Sequence, residues 1–104
     1  MMSLDAAFER IGSALRERGY TSAKEEKPSD ASGDRVEVFT SPHMSVRLFW
    51  NGKARLLTLQ VEAEGEWVEF ARRGFGPTGL EDTAVEALVR SIRDEVAETS
   101  TDAG

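Results

Sequence analysis

Apolar residues near the start of the chain recur at a helical period: Leu4, Phe8, Ile11 and Leu15 stand at steps of four, three and four, with Ala7 and Ala14 beside them. That spacing lays one stripe along a helix from about Leu4 to Arg18. Ser3 can cap its start, Arg16 and Arg18 complement the negative end of its dipole, and Gly19 can take the left-handed conformation that closes it. From Thr21 to Asp34 the sequence TSAKEEKPSDASGD has alanine as its sole apolar residue type and contains Pro28 and Gly33. It predicts a long mobile loop, read as a solvated connector.

Between Arg35 and Arg73 the apolar period changes to two. Val36 and Val38 alternate with Glu37 and Phe39; after Ser41-Pro42, residues Met44, Val46, Leu48 and Trp50 share one face. Asn51-Gly52 then predicts a tight reversal, because both central residues of a type I′ turn need positive φ. A two-residue turn sets Val46 opposite Leu57 and Met44 opposite Leu59, and a four-residue loop sets Leu48 opposite Leu57. Both keep the same residues inward, whereas a three-residue loop would turn Leu57 and Leu59 away from Val46 and is rejected. A second reversal at Glu64-Gly65 sets Val61 opposite Val68 and Leu59 opposite Phe70. Two turns of agreeing parity thus assign Met44, Val46, Leu48, Leu57, Leu59, Val61, Val68 and Phe70 to one sheet face.

The last apolar pattern is helical again. Thr78 with Glu81 three residues on has the form of a capping box, and Val85, Leu88, Val89, Ile92 and Val96 follow at helical spacing, predicting a helix from about Gly79 to Glu98. Glu86 stands four residues before Arg90, a favourable exposed pair. The expected fold is two-layer α+β: an N-terminal helix, a four-stranded antiparallel meander and a C-terminal helix, the helices packed on the apolar sheet face. Residues 1–98 form the expected single domain and residues 99–104 a disordered tail.

Composition narrows the chemistry. A chain of 104 residues with 39% hydrophobic and 31% charged residues suits one globular core. It has no cysteine, so thiolate catalysis, disulfides and cysteine metal sites are excluded, and one histidine, His43, cannot build a multi-histidine metal site. The net charge of −6 is concentrated after residue 79, where seven acids meet two bases. Nucleic-acid binding, which needs a basic face, is not expected, although Trp67, Phe49 and Arg47 would suit a single-strand platform. Ten arginines against three lysines, with twelve alanines, is the usage of a GC-rich bacterial genome. There is no basic leader with an apolar stretch and no run of 18 apolar residues, so a cytoplasmic location without membrane contact is expected.

Several motifs invite a function and are better explained by structure. Gly74-Phe75-Gly76-Pro77-Thr78-Gly79 matches G-x-G-x-x-G between a strand and a helix, yet a dinucleotide fold needs a further parallel strand, Pro77 lacks an N–H, and Glu81 and Asp82 already occupy the helix start. Arg72-Arg73 is a possible anion site, weakened because neighbours in a strand point to opposite faces. His43 beside Ser41 and Ser45 lacks a nucleophile elbow. Glu62, Glu64, Glu66 and Glu69 cluster at a hairpin tip without the spacing of a calcium loop, and read as a solvated turn. No cofactor and no metal are expected.

The reverse of the sheet carries more weight. Phe49, Leu56 and Trp67 alternate outward, with Arg47, Arg73, Ala54, Thr58, Gln60, Glu62, Glu69 and Ala71, and aromatics with arginines on a polar face are the composition of an interface. Trp50 beside Lys53 or Arg55 can extend it by a cation–π contact. The expectation is a non-enzymatic protein-interaction module, a homodimer, acting through the outer sheet face at Phe49, Leu56, Trp67, Arg47 and Arg73. One variant is an acidic partner binder, similar in size, charge and flanking helices to immunity proteins and secretion chaperones, with no residue motif behind the likeness. The alternative is a domain for a small anionic ligand, with a pocket between sheet and helices near Arg72 and the glycine loop.

Overall fold

Helix α1 (Leu4–Glu17) begins where the sequence places it, since the Ser3 hydroxyl accepts a hydrogen bond from the Ala6 N–H at 3.0 Å. It ends in a Schellman motif: Gly19 has φ 95°, its N–H bonds Arg16 O, and the Tyr20 N–H reaches back to Leu15 O. That closure directs Tyr20 into the core, where burial pushes its phenol above the usual range. The computed structural model describes residues 2–26, 33–77 and 79–95, with no side-chain detail for residues 24–26.

Five strands follow, not four: β1 (Thr21–Glu26), β2 (Arg35–Thr40), β3 (Ser45–Asn51), β4 (Leu56–Ala63) and β5 (Glu66–Gly74). They form an antiparallel meander in the order β1-β2-β3-β4-β5. The added strand, β1, replaces the first half of the expected loop from Thr21 to Asp34, of which residues 27–32 lie outside the described part. It has no apolar alternation because its hydrogen bonds come from pairing with β2, from Thr21 opposite Thr40 to Glu26 opposite Val36.

The two reversals around β4 differ. At Glu64-Gly65 both φ values are positive, 53° and 84°, and Ala63 pairs with Glu66 across a two-residue turn. At Asn51-Gly52 neither residue has positive φ; the left-handed residue is Arg55 at 54°. The Asn51 side-chain oxygen instead accepts from the N–H groups of Lys53 and Ala54, which rounds the chain into a loop of residues 52–55. Gly52 N–H is held by Asp34 Oδ1 at 2.8 Å. The register is therefore two residues beyond the four-residue expectation, with Trp50 opposite Leu57, Leu48 opposite Leu59 and Val46 opposite Val61. A slip of two leaves every side chain on its expected face.

A bulge corrects the far end of β5. Gln60 pairs with Glu69 but Leu59 pairs with Ala71, so Phe70 is the extra residue. Val61 and Val68 pair as expected, while the pairing of Leu59 with Phe70 is replaced by Leu59 with Ala71. Phe70 and Ala71 both pack against the core, so Ala71 leaves the outer set. Val68 sits on the expected face yet remains 49% exposed.

Helix α2 (Asp82–Glu95) starts three residues later than expected. Met2 and Leu80 form a two-bond bridge, Gly79 has φ 142°, and Glu81 O accepts from Ala84 and Val85. Glu81 thus flanks the helix and does not stand inside its first turn; Thr78 and Val96 to Glu98, like the expected tail, lie outside the described residues. Val85, Leu88, Val89 and Ile92 of α2 join Phe8, Ile11 and Leu15 of α1 and Phe39, Val46, Leu48, Leu57 and Leu59 of the sheet in one buried cluster. Both helices therefore roof the same sheet face.

The helices are tied by a two-bond ion pair. Arg10 Nε and Nη2 donate to the Glu86 carboxylate at 2.7 and 2.9 Å, replacing the expected pair of Glu86 with Arg90. This hydrogen bonding holds the Glu86 carboxyl below its ordinary range and raises Arg10. A carboxylate with a lowered folded pKa stabilises above its unfolded value, about 4.3, and loses that contribution as pH falls through the folded value. With side chains 32% and 42% exposed, the pair contributes about 0.5 kcal/mol after screening. Glu86→Gln is expected to lower stability by that amount at pH 7 and to match the parent protein once acid has protonated the Glu86 carboxyl in the folded state, in urea unfolding over a neutral-to-acid pH series.

Candidate functional site

The sheet face opposite the helices is built row by row from cross-strand pairs. Val36, Phe49, Thr58 and Arg72 form one row across β2 to β5, and Val38, Arg47, Gln60 and Glu69 the next. Trp67 faces Glu62 beyond them. Leu56 lies at the opposite end with its Cδ2 over Gly74, 3.8 Å from where a Cβ would stand.

Its polar groups hold the aromatic ones in place. The Arg47 guanidinium stacks 4.7 Å above the Trp67 ring, while its Nε donates to Gln60 Oε1 at 2.7 Å. One arginine thus bridges β3, β4 and β5 and limits the motion of the indole. Thr58, an outer residue, is only 8% exposed between Phe49 and Arg72. Val36, Val38, Phe49, Leu56 and Trp67 are all half-buried by their neighbours on the sheet. Among the described residues, no element covers this face.

Phe49, Leu56, Trp67 and Arg47 therefore share the outer face as the sequence predicts, with Leu56 and Trp67 at its two ends, but Arg73 is not on it. The bulge at Phe70 shifts the alternation by one, so Arg73 pairs with Leu57 on the helix side and Arg72 with Thr58 on the outer side. Trp50 makes the expected cation–π contact, with Arg55 stacked on it at 5.5 Å, but it does not extend this face: it is 5% exposed in the core, with Phe75 at 6.2 Å between centroids. Sequence reading missed Val36 and Val38 as outer residues. The available signal was Phe39, whose bulk on the same short strand faces inward and fixes the parity of its neighbours.

The other candidates are dispersed. Arg72 lies 3.4 Å from Glu69, and Arg73 donates to the Arg72 carbonyl, so the two guanidinium groups do not converge. The glycine loop is pinned to the first hairpin by Arg55 Nε, which donates to Gly76 O at 2.6 Å, and by Phe75 N–H bonding Arg55 O. The Ser41 hydroxyl is engaged by the turn, accepting from the N–H groups of His43 and Met44 and donating to Met44 O. His43 is exposed. Glu62, Glu64, Glu66 and Glu69 are all exposed, and among the described residues no three acids or histidines stand close enough to hold a metal ion. No described helix is long and apolar enough to cross a membrane. No family model, curated protein or solved structure matches this chain.

Proposed function

We propose that the protein is a non-enzymatic protein-interaction module whose outer sheet face receives a protein partner, with a second copy of the chain as that partner. One observation carries this reading: both helices lie on one face of the sheet, and the reverse presents Val36, Val38, Phe49, Leu56 and Trp67 uncovered among the described residues. Tryptophan and arginine dominate binding energy at interfaces, and side chains already held in their bound positions lose less entropy on docking. The stack of Arg47 on Trp67 provides that advance ordering. A two-fold contact would place the face against itself, apolar centre to apolar centre.

Light scattering over a concentration series tests it, with Phe49→Lys at the centre of the face. The mass is expected to rise with concentration, and the substitution to move a step of that rise at least about tenfold higher, as charge enters the contact. A mass curve that Phe49→Lys leaves unchanged overturns the reading.

A further inference from the structure

The outer face is not the sole unpaired surface of this sheet. Strand β5 is an edge of the meander and, at nine residues, its longest strand. An edge strand carries a row of backbone donors and acceptors open to another chain. Which residues supply that row follows from the ladder. Ala63 and Glu66 close the two-residue turn and exchange both bonds, after which bonded and non-bonded pairs alternate. Trp67 and Glu69 therefore direct their backbone groups away from β4. Beyond the bulge, the bond from Phe75 N–H to Arg55 O resets the phase, so Arg72 and Gly74 direct theirs away as well; the Arg72 carbonyl accepts from the Arg73 guanidinium in the single chain, a contact that strand pairing would replace.

The bulge thus has a consequence for charge. In a regular strand, residues three apart lie on opposite faces, but the extra residue Phe70 brings Glu69 and Arg72 to the same face, both with edge-facing backbone groups. Along β5 the first half is acidic, Glu66 and Glu69, and the second half basic, Arg72 and Arg73. Such a strand is complementary to itself when reversed. Beside it, Val68 is the exposed large apolar side chain of the described residues, at 49%.

We propose that β5 pairs antiparallel with β5 of a second copy, about a two-fold axis between Phe70 and Ala71, placing Glu69 of each chain opposite Arg72 of the other. In this register Trp67 stands opposite Gly74, so all four residues with outward backbone groups find partners at once. Each Glu69 exchanges its loose 3.4 Å contact with Arg72 of its own strand for a cross-strand pair. Bulge faces bulge, so the two extra residues match. The union continues the meander into a single sheet across two chains and leaves the outer face free. It goes beyond the face-to-face contact proposed above and is independent of it.

The test uses the Phe49→Lys chain throughout, so that packing through the outer face is already removed. Sedimentation equilibrium is expected to show a dimer, and Glu69→Arg or Arg72→Glu added singly to weaken it at least about tenfold, because like charges then face each other. Mixing the two variants is expected to restore a dimer containing one of each, since every arginine again meets a glutamate. Amide hydrogen exchange at Trp67, Glu69, Arg72 and Gly74 is expected to slow as the concentration of the Phe49→Lys chain rises. A Phe49→Lys chain that stays monomeric, or a mixture no heavier than its separate components, overturns the edge pairing. The effect of Phe49→Lys on the parent chain is read separately and decides the face alone.

Discussion

Phe39→Ala is expected to lower the unfolding free energy by about 4 kcal/mol, while Val38→Ala one position away lowers it by about 0.5 kcal/mol. Phe39 is fully buried, opposite Val46 on the helix side of the sheet, and its ring tip meets α1 at Gly12. Removing the ring takes away its transfer free energy and leaves a cavity that a sheet clamped by two helices cannot close. Val38 projects to the uncovered face and loses little when shortened. Chemical denaturation of the two variants, with equal slopes, measures the contrast. Similar losses at both positions would mean that the face assignment of β2 is wrong.

Gly12→Leu is expected to cost about 2 kcal/mol, and to cost much less in a chain that also carries Phe39→Leu. A Cβ at Gly12 would stand 3.2 Å from Phe39 Cζ, closer than ordinary van der Waals contact, and a leucine extends well past it. Glycine in mid-helix is otherwise unfavourable by about 1 kcal/mol relative to alanine, so its presence at this point reflects the close approach of α1 to β2. Shortening the ring by Phe39→Leu opens room for the new side chain. Thermal unfolding of the four proteins in the cycle gives the coupling, and additive losses would show that the helix does not rest on this ring.

The residues that make up the candidate site were legible to different degrees, and the differences have physical causes. Phe49, Leu56, Trp67 and Arg47 were readable because side chains in a strand alternate strictly, and assigning Val46, Leu48, Leu57 and Leu59 inward leaves the others no choice. Arg73 was misplaced because one extra residue at Phe70 inverts everything after it, and a phenylalanine able to pack on the core from a bulge gives no local sign of one. The Asn51-Gly52 reversal was located correctly but its loop was not. Asparagine serves a type I′ turn by taking positive φ and serves this loop through its side-chain oxygen, and both uses leave the same dipeptide.

Strand β1 and the ion pair between helices belong to a further class. Thr21–Glu26 is polar throughout and becomes a strand by borrowing hydrogen bonds from β2. Glu86 had a plausible partner four residues away in Arg90, and only the packing of α2 beside α1 offered it the better fork of Arg10. Arg35 is similar: it is buried over the Phe8 ring at 4.2 Å and bonded to Asp5 at 2.6 Å, a union of strand and helix that no spacing announces.

The amino-acid sequence by itself determined the helical stripes, the cap at Ser3, the closure at Gly19 and the division of β3 and most of β4 into inward and outward side chains. These depend on neighbours within a few positions, where hydrophobic period and backbone preference act directly. Tertiary structure alone decided the register beyond Asn51, the bulge at Phe70 and the fifth strand. Hydrophobic burial is unchanged when a strand slips by two residues, and backbone hydrogen bonds carry no side-chain label, so those choices are made when the elements meet.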